Sequence, residues 1–252
     1  MISQLDLLER GELFAILSKI AYYEEKAAKE EANKLGFTEV KFYNLDGAQA
    51  YKFENKTDVV IACRGTEPTQ FNDIKADLRA RPVKSESVSR VHYGFKREVD
   101  DIWPQIEKDI LNIKSKKLWI TGHSLGAAMA TIMASRCRHC EPLIDPQELH
   151  TFGSPRVGWK KYTQTFDTKH YRWVNNNDIV TRVPFAFMCY HHDGEEMYFN
   201  AYGQLRKHSY WQRVKDRFRG IWFGLKKGKI DSFSDHSITE YVNNITSNKS
   251  NK

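Results

Sequence analysis

The stretch LWITGHSLGAAMAT, residues 118–131, limits the fold more than any other part of this chain. Leu118 to Thr121 reads as a short buried strand, and Ala127 to Ala134 as the start of a tightly packed helix. Ser124 stands between Gly122 and Gly126, where one pattern gives way to the other. The simplest role for a serine at that point is a helix N-cap. Three fixed residues in five are also common by chance, so the context has to decide. Gly126-Ala127-Ala128 supplies the small residues that a sharp strand–turn–helix junction needs, because the helix presses on the strand and the central residue takes strained angles. Such a junction aims backbone N–H groups of the first helical turn at a developing oxyanion. Ser124 is read as a candidate nucleophile.

A serine hydroxyl needs a base to take its proton, and the base needs an orienting acid. On this junction the expected chain order is Ser, then Asp or Glu, then His. Asp178, in YRWVNNNDIVTRVP, follows an apparent strand end, where catalytic loops of open α/β sheets emerge. The alternative for it is a turn residue. Asp145 also lies in the interval but precedes a strand, which puts it at the opposite edge of the sheet. His236, in DSFSDHSITEY, comes just before a short C-terminal helix and is the candidate base. His192, in CYHHDGEEMY, is the rival, but its place beside a turn favours a structural hydrogen bond.

The rest of the chain fits around this unit. Residues 3–35 read as helical, ending at Gly36 in a left-handed cap. EVKFYNLDGAQAYKFE reads as a hairpin turning at Asp46-Gly47, followed by a buried strand at DVVIACRG. GFKREVDDIWPQIEKDILNI is an amphipathic helix, expected to bend at Pro104. Strands at LHTFG and YRWV, a helix near KKYTQTF, a second hairpin at Asp193-Gly194 and helices around 209–223 and 234–244 complete the pattern. Strands alternating with helices predict an α/β fold: one domain over residues 1–252, with a central, mostly parallel sheet flanked by helices.

Composition narrows the function classes. The net charge of +7 allows an anionic partner, nucleic acid or membrane, without choosing between them. No apolar run reaches the roughly 18 residues of a bilayer span. The first residues carry Asp6, Glu9 and Glu12 among apolar positions at helical spacing, which does not read as a signal peptide. With four cysteines, this predicts a reduced, cytoplasmic protein, although export without a cleavable leader is compatible with it. Cys137 and Cys140 in CRHC read as two thiols at a helix end, without the second pair that a zinc site needs, and Cys63 and Cys189 read as core or near-core residues.

The ordered set VVIACRGTEP, DIKADL, VHYGF, ITGHSLGAAMAT, FGSPRVG, NNNDIVTRVP, HDGEEMY and DHSITEY resembles the class 3, or fungal-type, lipases of the α/β-hydrolase fold, from about residue 12 to 244. The resemblance implies Ser124 as nucleophile, Asp178 as orienting acid and His236 as general base. It implies an oxyanion hole at Thr66, with the backbone N–H of Leu125 as second donor, and a lid over about residues 67–81. His92, Gly94, Pro155 and His192 match motif positions read as structural. Independently, a buried strand ending in Arg64-Gly65 before Thr66 lets backbone approach a substrate carbonyl closely. No metal or organic cofactor is implied. The lid segment is polar, with Phe71, Ile74 and Leu78 as its only apolar stripe, which argues against strong interfacial activation.

These readings predict a serine carboxylic-ester hydrolase, a lipase on acylglycerols, with phospholipase A1 or a short-chain esterase as the alternative. A catalytically silent hydrolase-fold binding protein is the alternative from another class. Nucleic acid is not expected as a partner, since no recognisable binding module accompanies the charge. In residues 206–229, Trp211, Val214, Phe218, Ile221, Trp222 and Leu225 form an apolar stripe, while Arg213, Lys215, Arg217, Arg219, Lys226 and Lys227 cover the remaining arc. The segment either packs on the sheet with a solvated charged face or touches an anionic lipid surface.

Overall fold

The computed structural model describes residues 1–65, 81–113, 115–140, 142–165, 167–207, 209, 211–212, 215–216 and 235–250. Helix α1 (Leu7–Ile20) opens on a capping box. The Asp6 carboxylate accepts from the Glu9 backbone N–H at 3.0 Å, and Glu9 accepts from that of Asp6 at 2.7 Å. Each bond satisfies a donor that the first helical turn leaves unpaired. The single helix expected over residues 3–35 is in fact two. The chain turns after Ile20 and restarts as α2 (Glu25–Lys34). No Gly or Pro signals that break; it is set by tertiary contacts, since Tyr22 and Tyr23 at the turn both bond to distant strands or neighbours.

Strands β1 (Glu39–Leu45) and β2 (Ala48–Glu54) form the expected hairpin. Asp46 and Gly47 both take positive φ there, at 51° and 92°. Antiparallel β3 (Asp58–Cys63) follows, then β4 (Pro82–Lys84) and β5 (Arg90–His92). Helix α3 (Tyr93–Ile110) runs through Pro104 as one element. After it come β6 (Lys117–His123), α4 (Leu125–His139), β7 (Leu149–Phe152), β8 (Gly158–Trp159) and α5 (Lys160–Gln164). The chain continues as β9 (His170–Asn175), β10 (Tyr190–His191), β11 (Glu195–Phe199) and α6 (Ile238–Ser250).

Seven strands make the main sheet, in the order β1-β2-β3-β6-β7-β9-β11. From β3 onward every neighbouring pair is parallel. A parallel sheet needs cover on both faces, and alternate residues of β3 divide between the two. Val59, Ile61 and Cys63 pack with α3 and α4, while Val60 and Ala62 pack with α1, α2 and α6. A smaller antiparallel sheet runs β10-β8-β5-β4. This is the α/β fold that the alternating pattern predicts.

Two expectations fail here. Asp193-Gly194 is a turn, with Gly194 at φ 79°, but it does not close a hairpin. Strand β10 pairs with β8 in the small sheet, whereas β11 pairs parallel with β9. The buried Met197 and Phe199 of β11 take that edge beside Trp173, and local turn chemistry cannot reveal such a choice of partner. Cys189 is exposed, at φ 68°, rather than near-core. Among the described residues, no helix is long and apolar enough to cross a membrane.

Candidate active site

Ser124 and Asp178 sit just past the ends of the parallel strands β6 and β9, on one side of the sheet. Ser124 follows β6 directly and precedes α4. Its backbone is strained, at φ 59° and ψ −128°, and its side chain makes no capping bond to α4. The N-cap explanation therefore fails. Close approach is what forces glycine around it. A Cβ on Gly122 would lie 2.3 Å from the Gly126 carbonyl oxygen, and one on Gly126 would lie 2.2 Å from that of Cys63. The Ser124 N–H is used by the Phe152 carbonyl at 3.0 Å, which pins the turn to β7.

Ser124 Oγ donates to His236 Nε2 at 2.7 Å, and His236 Nδ1 donates to Asp178 Oδ2 at 2.9 Å. All three residues are buried, Asp178 completely. Burial alone would raise the Asp178 carboxyl, but the charge of His236 and hydrogen bonds from His236 and Tyr241 outweigh it and hold the group below the usual carboxylate range. Tyr241, on α6, donates to Asp178 Oδ2 at 2.6 Å, and the Val180 N–H donates to Oδ1 at 2.9 Å. The Asn175 N–H in turn donates to the Tyr241 hydroxyl at 3.0 Å. Asp178 is thus oriented from several sides at once.

The asparagines before Asp178 do more than turn the chain. Asn175 Nδ2 donates to the Asp235 carbonyl at 2.9 Å, and Asp235 precedes His236. Asn176 Nδ2 donates to the Asp216 carbonyl at 3.2 Å. The Asp216 carboxylate is buried and accepts from Tyr198 Oη at 2.9 Å. Asp216, an acid within the basic segment, is thereby tied to Asn176 just before Asp178. Trp211, on the apolar stripe, is 72% exposed. Lys215 is also exposed, and the remaining residues of the 206–229 stripe and its basic arc, from Arg213 and Val214 to Leu225 and Lys227, lie outside the described residues.

Leu125 is the first residue of α4, so its N–H belongs to the helix start, where no intrahelical acceptor exists. Thr66 and the lid residues Phe71, Ile74 and Leu78 lie outside the described residues. His192 Nε2 bonds the Thr181 carbonyl at 2.7 Å, the structural role expected of it. Asp145 pairs with Arg138 at the far end of α4. Cys137 is buried, which pushes its thiol pKa up, and among the described residues no group of His, Cys, Asp or Glu has the arrangement to hold a metal ion.

Sequence reasoning assigned no role to Tyr241, Gly153, His123 or Tyr22. Gly153 lets the acid and base meet: a Cβ there would fall 2.7 Å from Asp178 Oδ2 and 2.8 Å from His236 Nδ1. The only signal for it was its place at a strand end in FGSPRVG. Tyr241 could have been suspected from its helical position five residues beyond His236.

A strained serine between a parallel strand and a helix, with a carboxylate and a histidine from later loops, defines the α/β-hydrolase fold. The family described as lipase (class 3) matches residues 60–188. The chain belongs to the class 3 lipase family. A lipase of Rhizomucor miehei is 30% identical over 160 residues, which make up 59% of this chain and 44% of that protein. The chloroplastic phospholipase A(1) DAD1 of Arabidopsis thaliana is 41% identical over 172 residues, 66% of this chain and 38% of that protein. The chain therefore spans less than half the length of both relatives. The solved structure of Rhizomucor miehei triacylglyceride lipase matches with a TM-score of 0.64 at 24% identity, covering 77% of this chain and 82% of that one, and shares its fold.

Proposed function

We propose that the protein is a serine carboxylic-ester hydrolase acting on acylglycerol lipids. The observation that carries this is the hydrogen-bonded series Ser124, His236, Asp178, built on a serine whose strained backbone has no capping use. In the proposed mechanism, Ser124 Oγ attacks the ester carbonyl carbon while His236 Nε2 takes its proton, and Asp178 steadies the imidazolium through Nδ1. The tetrahedral oxyanion is held by the Leu125 N–H and Thr66, worth several kcal/mol together. His236 then protonates the departing alcohol. Water, deprotonated by the same imidazole, releases the carboxylic acid and restores Ser124. Residues 67–81 serve as a lid in this reading, and the basic segment 206–229 faces an anionic lipid surface.

Phospholipase A1 activity is the second reading, favoured by the 41% identity to the Arabidopsis enzyme of that name. Incubation with mono-, di- and triacylglycerols, phosphatidylcholine and phosphatidylglycerol vesicles, and short nitrophenyl esters separates the two. Free fatty acid from acylglycerols, with phospholipids left intact, supports the first. A 2-acyl lysophospholipid as main product supports the second. No acid released from any ester, by a protein whose Ser124 also ignores phosphonate probes, would leave a silent hydrolase-fold binding protein.

A further inference from the structure

His123, the residue between Gly122 and Ser124, is buried and uses both ring nitrogens. Its Nε2 lies 2.6 Å from the backbone carbonyl oxygen of His236, and its Nδ1 lies 2.8 Å from the hydroxyl of Tyr22. A carbonyl oxygen only accepts, so Nε2 must carry the hydrogen. Nδ1 is then a lone-pair acceptor, and Tyr22 is its donor. Burial first, and the neighbouring His236 second, push the His123 pKa down to about 3, so the ring is neutral at working pH. That neutrality matters because the His123 and His236 rings lie 4.6 Å apart. A cation at His123 would oppose the imidazolium that forms when His236 takes the serine proton.

Tyr22 also touches the other half of the site. A Cβ on Gly65 would lie 2.5 Å from the Tyr22 hydroxyl, 2.6 Å from the His123 carbonyl oxygen and 3.1 Å from Ser124 Cβ. The residue after Gly65 is Thr66, the oxyanion candidate. The Arg64 guanidinium sits 5.7 Å from the Tyr22 ring centroid, so the phenol is held from the β3 end as well. One hydroxyl thus lies between the strand end leading to Thr66 and the histidine that grips the His236 backbone.

We propose that Tyr22 and His123 are positioning residues: by donating to Nδ1, Tyr22 fixes His123 in the Nε2–H tautomer, whose bond to the His236 carbonyl holds the base in register with Ser124. This rests on the reading of His236 as general base. Without the phenol only the His236 carbonyl still favours Nε2–H, and in the competing Nδ1–H tautomer a bare Nε2 would face that carbonyl and repel it. The base would lose its backbone tether and shift relative to Ser124.

The test is Tyr22→Phe in the full chain, read in three ways. Long-range ¹H–¹⁵N spectra should show His123 as Nε2–H in the wild type and as Nδ1–H, or a mixture, in the variant. On a short nitrophenyl ester kcat should fall about 10- to 100-fold with KM within about twofold, since displacement of a catalytic group acts on the transition state. In a His123→Gln background, whose amide donates to the carbonyl without tautomers, Tyr22→Phe should cost less than about twofold in kcat. An Nε2–H tautomer that persists in Tyr22→Phe overturns the proposal, as does an unchanged kcat or an equal loss in the Gln background. Ser124→Ala separates the two claims. An active Ser124→Ala enzyme would remove the proposed mechanism itself, whereas an inactive one beside a persistent Nε2–H tautomer removes the positioning role alone.

Discussion

His123 and His92 are both buried and both kept neutral by burial, with pKa values pushed down to about 3 and about 4. Their surroundings differ completely. His123 has a partner on each nitrogen, in a cluster where Ser124, His236, Asp178 and Tyr241 are all hydrogen-bonded. His92 lies in the small sheet, its ring stacked on Phe95 at 4.2 Å and 6.1 Å from that of Tyr190. Among the described residues neither of its nitrogens has a hydrogen-bond partner, and the same holds for Tyr190 Oη and Trp159 Nε1. Burial depresses both histidines alike, so a shifted pKa does not mark the functional one. What separates them is whether the polar atoms are bonded to the chain that carries the base. An unpaired buried polar group costs about 1–3 kcal/mol, and among the described residues the small sheet carries those of His92, Tyr190 and Trp159.

The largest effects should come from the bonded cluster. Ser124→Ala and His236→Ala should each lower kcat by about 10⁵ to 10⁶, and the double variant should be little worse, because the residues act as a unit. Asp178→Asn should fold normally yet lose roughly 10⁴ in kcat, through the wrong histidine tautomer. Esterase assays with circular dichroism as a folding control check both. Near-normal turnover by Asp178→Asn would assign the acid elsewhere.

Tyr241→Phe should act more gently. It removes one of the donors that hold Asp178 ionised, so a loss of about tenfold in kcat is expected, equivalent to about 1.4 kcal/mol. A carboxyl whose folded pKa is depressed stabilises above its unfolded value, and that contribution is lost as pH falls through the folded value. Tyr241→Phe brings the two values closer, so its destabilisation should be largest near neutral pH and shrink in acid. Denaturant melts across pH 3–8 would show it.

His92→Phe should have the smallest effect on activity, less than about twofold in kcat, because no bond to the site is lost. Its signature is in acid stability. The unfolded imidazole binds a proton near pH 6.5 and the folded one only near 4, so wild-type stability declines through that window, by at most about 1.4 kcal/mol per pH unit from this residue. The variant should be flatter between pH 6.5 and 4. A steep loss of activity in His92→Phe would end the contrast between the two clusters.

Much of this arrangement could be read from the chain. The strand–turn–helix around Ser124 and the Asp46-Gly47 hairpin follow from local chemistry, because each is fixed by a few neighbouring residues, and the order Ser, Asp, His follows from the fold that the serine junction implies. The break after Ile20 and the split of β10 and β11 between two sheets were not legible, since tertiary partners decide them. For the same reason Tyr22, a hundred residues away in sequence, could not be linked to His123. Gly153 looked like any loop glycine until the Asp178–His236 pair appeared beside it. Nothing in the sequence marked Asp216, whose carboxylate is buried and bonded to Tyr198.

The central claim is that Ser124 is a nucleophile activated by His236 and Asp178. Incubation of the wild type with a fluorophosphonate, followed by intact-mass and peptide analysis, tests it most directly. One phosphonyl group should attach per chain, on the peptide containing Ser124, and labelling should vanish in Ser124→Ala and slow by orders of magnitude in His236→Ala. Labelling elsewhere with Ser124 untouched, or equal labelling in the absence of His236, would contradict it.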